Sequence, residues 1–142
     1  MFTATQLAAE INTDPKSLGY AALKGAGGDQ GIADKLNATY VGVATVYRAD
    51  VKAGEILASL VASEVSAWTA VQWTALTALL IPGTVDASNA RIRALFAALL
   101  PANSLANATA VATVTTPSRA QELWGANTTI SATDVARALG RG

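Results

Sequence analysis

The sequence has neither cysteine nor histidine. Without thiols, no disulfide can staple the chain and no thiolate can hold a metal. Without imidazole, Ser-His and Cys-His nucleophilic pairs, histidine proton relays and nearly every zinc arrangement are excluded, because each needs imidazole or thiolate at neutral pH. Charge is sparse as well: 14% of residues are Asp, Glu, Lys or Arg, and ten acids cancel ten bases. A neutral chain has no general attraction for nucleic acid or an anionic bilayer. Bulky side chains are limited to three Trp, three Tyr, two Phe and one Met beside the aliphatic residues.

What the chain has instead is alanine, set among Thr, Ser, Leu and Val. Alanine has the best helix propensity and lets helices approach closely, so small, tightly packed helices are the natural product. A length of 142 residues suits one domain able to bury roughly 70% of its unfolded surface. No repeat and no low-complexity linker divides it, so residues 1–142 read as a single helical domain. The first basic side chain is Lys16, so the N-terminal segment does not read as a signal peptide. The most apolar stretch, Val65–Ile81, is uncharged but falls at the lower edge of the ~17–25 residues a membrane span needs. It also contains Gln72 and a helix start in its interior, which argue against a span.

The helix punctuation is legible. Thr3 and Gln6 form a capping-box pattern, Leu7 and Ile11 share a face, and Asp14-Pro15 closes the first helix. A short segment, Lys16–Lys24, breaks at Gly25-Ala26-Gly27-Gly28, after which Asp29 is the expected N-cap of a helix carrying Ile32, Ala33 and Leu36. Asp50 is the expected cap of the next, with Ile56, Leu57, Leu60 and Val61 inward. Thr69 and Gln72 form a second box, and Trp68 and Trp73 occupy the two positions of a hydrophobic staple. Asn89 opens a helix with Ile92, Leu95, Phe96, Leu99 and Leu100 facing the core, and Pro101 ends it. Ser104–Val114 follows. Thr116-Pro117 reads as N-cap and N1 of Ser118–Trp124, with Gly125 after it. Ser131 and Asp134 open the last helix, with Val135, Ala136 and Leu139 inward. The expected fold is mainly α, a compact bundle of seven or eight short helices, with one candidate extended segment at Tyr40–Tyr47 whose alternate residues are apolar on both sides.

The candidate sites are few. Gly25–Gly31 invites a phosphate-loop reading but lacks the third glycine of G-x-G-x-x-G and the Lys-Ser/Thr of a Walker motif, so a connection between helices is expected. The carboxylate pairs Asp50 with Glu55 and Glu64 with Asp86 have no context that marks them for acid–base work. Neither a metal site nor a cofactor site is expected. Residues 1–90 hold eight acids and five bases, whereas residues 91–142 hold five arginines against Glu122 and Asp134. That dipole suits head-to-tail stacking, and Arg91, Arg93, Arg119, Arg137 and Trp124 are the candidate interface residues, since guanidinium and indole groups are enriched at interfaces.

Three stretches carry a resemblance. Thr13-Asp14-Pro15 with Gly19-Tyr20-Ala21, then Ser118-Arg119-Ala120-Gln121-Glu122-Leu123-Trp124-Gly125, then Ile130–Ala138, resemble small proteins encoded in the structural gene modules of tailed bacteriophages. The resemblance implies a virion structural protein, a head-to-tail connector or neck adaptor forming a ring, present in the host cytoplasm during assembly. It implies as partners portal or tail components and copies of the chain itself, with no specific nucleic acid and no membrane. A capsid-associated or tail protein is the alternative within the virion. A small hydrolase using paired carboxylates is the alternative outside it, and the sequence offers no such pair in a marked setting.

Overall fold

Four helices begin on a reciprocal cap, where a side-chain oxygen satisfies an orphan amide and a side chain three residues on returns the bond. Thr3 Oγ1 accepts from the Gln6 amide at 3.2 Å, and the Thr3 amide donates to Gln6 Oε1 at 2.8 Å. The same box closes at Thr69–Gln72, Ser118–Gln121 and Ser131–Asp134. The computed structural model describes residues 1–25 and 27–141. Among these are nine α-helices, one 3-10 turn and one two-stranded sheet, so the fold is mainly α. The chain forms two compact units: residues 1–44 with 116–142, and residues 45–115.

The first unit contains α1 (Ala4–Thr13), the 3-10 turn Ala21–Leu23, α2 (Asp29–Leu36), α8 (Arg119–Trp124) and α9 (Ala132–Ala138). Helix α9 packs against α1 and α2. Leu7, Ile11, Tyr20, Ile32, Leu36, Ile130 and Val135 form the centre of its core, each 2% exposed or less. Asp14 ends α1 in the left-handed region, at φ 42°, and its carboxylate accepts from the Leu18 and Gly19 amides at 2.7 and 2.8 Å. That turn delivers Tyr20 into the core. Asn37 pairs its side-chain amide with both backbone groups of Ile130, at 2.7 and 2.8 Å, and so fixes the approach to α9.

The second unit contains β1 (Val51–Lys52), α3 (Ala53–Ser59), α4 (Ala62–Val65), α5 (Ala70–Leu80), β2 (Thr84–Val85), α6 (Ala90–Leu99) and α7 (Ala102–Ala112). The strands run antiparallel, Val51 opposite Val85 and Lys52 opposite Thr84. Its core gathers Val51, Ile56, Leu76, Val85, Phe96, Leu100 and Ala108. Trp68 and Trp73 meet edge to face at 5.0 Å, completing the staple at the start of α5.

Several boundaries differ from the sequence reading. The N-cap of α2 is Gly28, and Asp29 is its first residue. A Cβ at Gly28 would collide with the Leu23 carbonyl oxygen, which is the reason this position is glycine. The glycine run is thus a connection between the 3-10 turn and α2, as expected, although Ala26 within it lies outside the described residues. Asp50 caps nothing, because pairing with Val85 holds Val51 extended and moves the start of α3 to Lys52. Helix α3 then ends at Ser59, and Leu60 and Val61 are extended, so α4 forms separately and Leu57 is left 49% exposed. Leu95 is exposed as well, on the outer side of α6. Ser118, not Thr116, caps α8, since only Ser118 has a glutamine three residues on. The Tyr40–Tyr47 segment turns at Val41-Gly42 and is no continuous strand; only Tyr47 forms a bridge, to Thr113. No described helix is long and apolar enough to cross a membrane.

Candidate functional site

Glu10 lies on the inner face of α1, between Leu7 and Ile11, and its side chain is 6% exposed. Burying a carboxylate there demands a cation. Arg119, the first residue of α8, supplies it: Nε donates to Glu10 Oε1 at 2.7 Å and Nη2 to Oε2 at 2.9 Å, a bidentate fork. Nη1 turns to Glu122 Oε2 at 2.9 Å, one helical turn along α8. The Tyr40 hydroxyl donates to the same oxygen, and the Ala44 amide donates to Oε1 at 3.2 Å. The Tyr20 hydroxyl completes the cluster with a bond to Glu10 at 3.3 Å. Burial disfavours the charged form of Glu122, but the bonds from Tyr40, Arg119 and Ala44 outweigh it and hold the carboxyl below its ordinary value. Burial, aided by Glu10, pushes the Tyr20 hydroxyl well above the usual tyrosine range, so it serves as a hydrogen-bond donor.

This cluster ties α1, α8 and the segments at 20 and 40–44 together within the first unit. Its donors and acceptors are directed at one another, and no buried side-chain polar atom described lacks a partner. It is built to hold. The carboxylates of the second unit are used in the same way. Glu64 accepts from the Asn103 and Ser104 amides at 3.1 and 2.7 Å and from Ser104 Oγ, capping α7 where Pro101 has no side-chain donor or acceptor to do so. Glu55 is forked by Arg48 at 3.1 Å through both oxygens, and Asp86 bonds to Ser88. Neither pair weighed from the sequence is arranged for acid–base work: Asp50 and Glu55 share the Arg48 guanidinium, Asp50 at 3.6 Å, and Glu64 and Asp86 each have their own partners. Among the described residues no group of acids is arranged to hold a metal.

The candidate interface residues are divided between the units. Arg119 is 6% exposed on its side chain and belongs to the cluster, so its position gives no basis for a surface role. Trp124 is half-buried, stacked at a tilt on Phe2 with centroids 5.3 Å apart. Arg137 is 66% exposed, with Asp134 at 4.0 Å. In the second unit Arg91 is exposed, whereas Arg93 is half-buried over the Tyr47 ring, 4.0 Å from its centroid. Arg141 pairs with Asp29. The acidic early part and the arginine-bearing late part therefore neutralise each other partly inside one chain, through Glu10 with Arg119 and Asp29 with Arg141.

The surface most unlike ordinary solvent-facing structure is α5. It has no charged residue, and Val71 at 78%, Trp73 at 39% and the following Ile81 at 76% are exposed. The sequence signal for this was the uncharged Val65–Ile81 run; two buried positions, Leu76 and Leu80, use only part of its apolar character. Comparison with protein-family models, curated proteins and solved structures finds no significant match.

Proposed function

We propose that the chain is a structural subunit of a tailed-bacteriophage virion, a head-to-tail connector or neck protein that assembles as a ring. The resemblance of Thr13-Asp14-Pro15 with Gly19-Tyr20-Ala21, of Ser118–Gly125 and of Ile130–Ala138 supports the virion setting. The observation that carries assembly is α5, an eleven-residue helix without charge on which Val71 and Trp73, with the adjoining Ile81, are exposed. Exposed apolar side chains on an uncharged helix mark protein contacts, and a repeated contact of one surface with a different surface of the next copy closes into a ring when its rotation is a whole fraction of a turn. With Arg119 and Arg141 paired inside the chain, apolar contact, more than the charge dipole, is the adhesive this reading relies on.

The test is localisation together with assembly. Mass spectrometry of purified particles should find the chain, and gold-labelled antibody should mark the neck. Label on the capsid or along the tail would replace the connector reading with another virion role. Absence from particles, or a monodisperse monomer by light scattering even with portal and tail components present, would overturn the proposal. Val71→Glu with Ile81→Glu should abolish rings in negative stain while leaving the far-UV circular dichroism unchanged, because both side chains are exposed.

A further inference from the structure

The second unit has a pocket of about 210 Å³, partly open to solvent, lined by Ile56, Phe96, Leu105 and Ala108 with Tyr47 and Arg93 also in its wall. Two small buried residues of α7, Ala108 and Ala112, contribute to its wall. A mostly apolar pocket of this size has room for a small apolar body, since a cavity of about 150 Å³ already takes up benzene. The wall here has one charged group. Arg93 Nη1 donates to the Ala87 and Ser88 carbonyls at 2.7 and 3.0 Å, and the guanidinium rests on Tyr47. These contacts fix the cation in place. Among the described residues no carboxylate pairs with Arg93, and its Nε and Nη2 donate to no protein acceptor. A guanidinium whose Nε and Nη2 have no protein acceptor, set beside a mostly apolar pocket, is complementary to a carboxylate on a small apolar body.

We propose that the second unit binds a small monocarboxylate with an aromatic or branched apolar body, the body in the cavity and the carboxylate on Arg93. One guanidinium balances one negative charge, so a monoanion is the matched ligand; the volume limits the body to roughly a phenyl ring with a short linker. This site is independent of the virion reading, because it uses none of Val71, Trp73 and Ile81.

The probe is 3-phenylpropionate, with 3-phenylpropanamide as its neutral counterpart, each titrated into the full chain by amide NMR. The acid should bind saturably with shifts centred on Ile56, Phe96 and Ala108, at least tenfold more tightly than the amide. Arg93→Gln should erase that preference and retain weak binding of the amide. Ala108→Leu should fill the space and remove binding of both. Saturable shifts absent from the cavity residues, or equal affinity of the unaltered protein for acid and amide, would overturn the proposal; the second comparison needs no variant and so does not depend on folding. Cavity shifts that appear on raising the protein concentration without probe would assign the space to a side chain of a second copy and would also overturn it.

Discussion

Removing the Arg119 guanidinium leaves two carboxylates, Glu10 and Glu122, in the interior of the first unit without their cation. Breaking a buried pair in this way costs about 3–5 kcal/mol. Arg119→Met should therefore lower the urea midpoint by a large fraction of the whole stability, whereas Arg137→Met, at a 66% exposed site, should leave it almost unchanged. Arg119→Lys should rescue only in part, because a single ammonium cannot fork both Glu10 oxygens. Acid should act through Glu122 and two further carboxylates. The carboxyls of Glu122, Glu64 and Asp14 are held below their ordinary values: burial opposes ionisation in each, and donated hydrogen bonds outweigh it. A group with a depressed folded-state pKa stabilises fully above its unfolded pKa and ceases to do so as the pH falls through the folded value. Stability should thus be flat near neutrality and decline as pH drops below about 4.5, the ordinary glutamate value, and Glu122→Gln should show a shallower decline in urea titrations run across that range. Glu10 could have been suspected from sequence, since it stands three residues after Leu7 and next to Ile11 on the apolar face. Its partner could not, because 109 positions separate it from Arg119.

At the scale of elements, caps and glycines decide where helices begin and end. Thr69→Ala should cost about 1 kcal/mol by freeing the Gln72 amide at the start of α5. Two glycines should respond to alanine with opposite signs. Gly125, after α8, sits at φ 105° and ψ 163°, a region essentially confined to glycine, so Gly125→Ala should destabilise by about 1–3 kcal/mol although no atom would meet the new Cβ. Gly54 lies within α3 with open space around it, so Gly54→Ala should stabilise by about 0.4–1 kcal/mol through the unfolded chain. Thermal or urea unfolding of the three variants would settle all three signs. The starts at Thr3, Thr69, Asn89 and Ser131 were readable because a cap is a bargain struck within four residues. The start of α3 was not, since Val51 is held extended by Val85, thirty-four positions away.

For the whole molecule, the two units differ in how the chain reaches them. Residues 45–115 are continuous, whereas the first unit needs residues 116–142 to return to residues 1–44. Ending the chain after Gly125 would remove Ile130 and Val135, 2% and 0% exposed, together with the backbone partner of Asn37. Each lost core side chain costs on the order of 2–5 kcal/mol against a total stability of about 5–15 kcal/mol. The truncated chain should lose dispersed amide signals throughout the first unit and retain those of Val51, Phe96 and Ala108. Uniform loss in both units would mean that the second core does not persist alone.

The amino-acid sequence by itself determined that the fold is helical, where four of the nine described helices start, and that no chemistry needing imidazole or thiolate is available, because propensity, capping and side-chain inventory are local properties. Tertiary structure decided which residues those helices bury. It placed Glu10 against Arg119, drew Glu64 to the start of α7, pinned Val51 to Val85 and left a space beside Ala108 with Arg93 in its wall. Each of these joins residues far apart in the chain, and only the packing that excludes water from between them makes their charge, reach or small size matter.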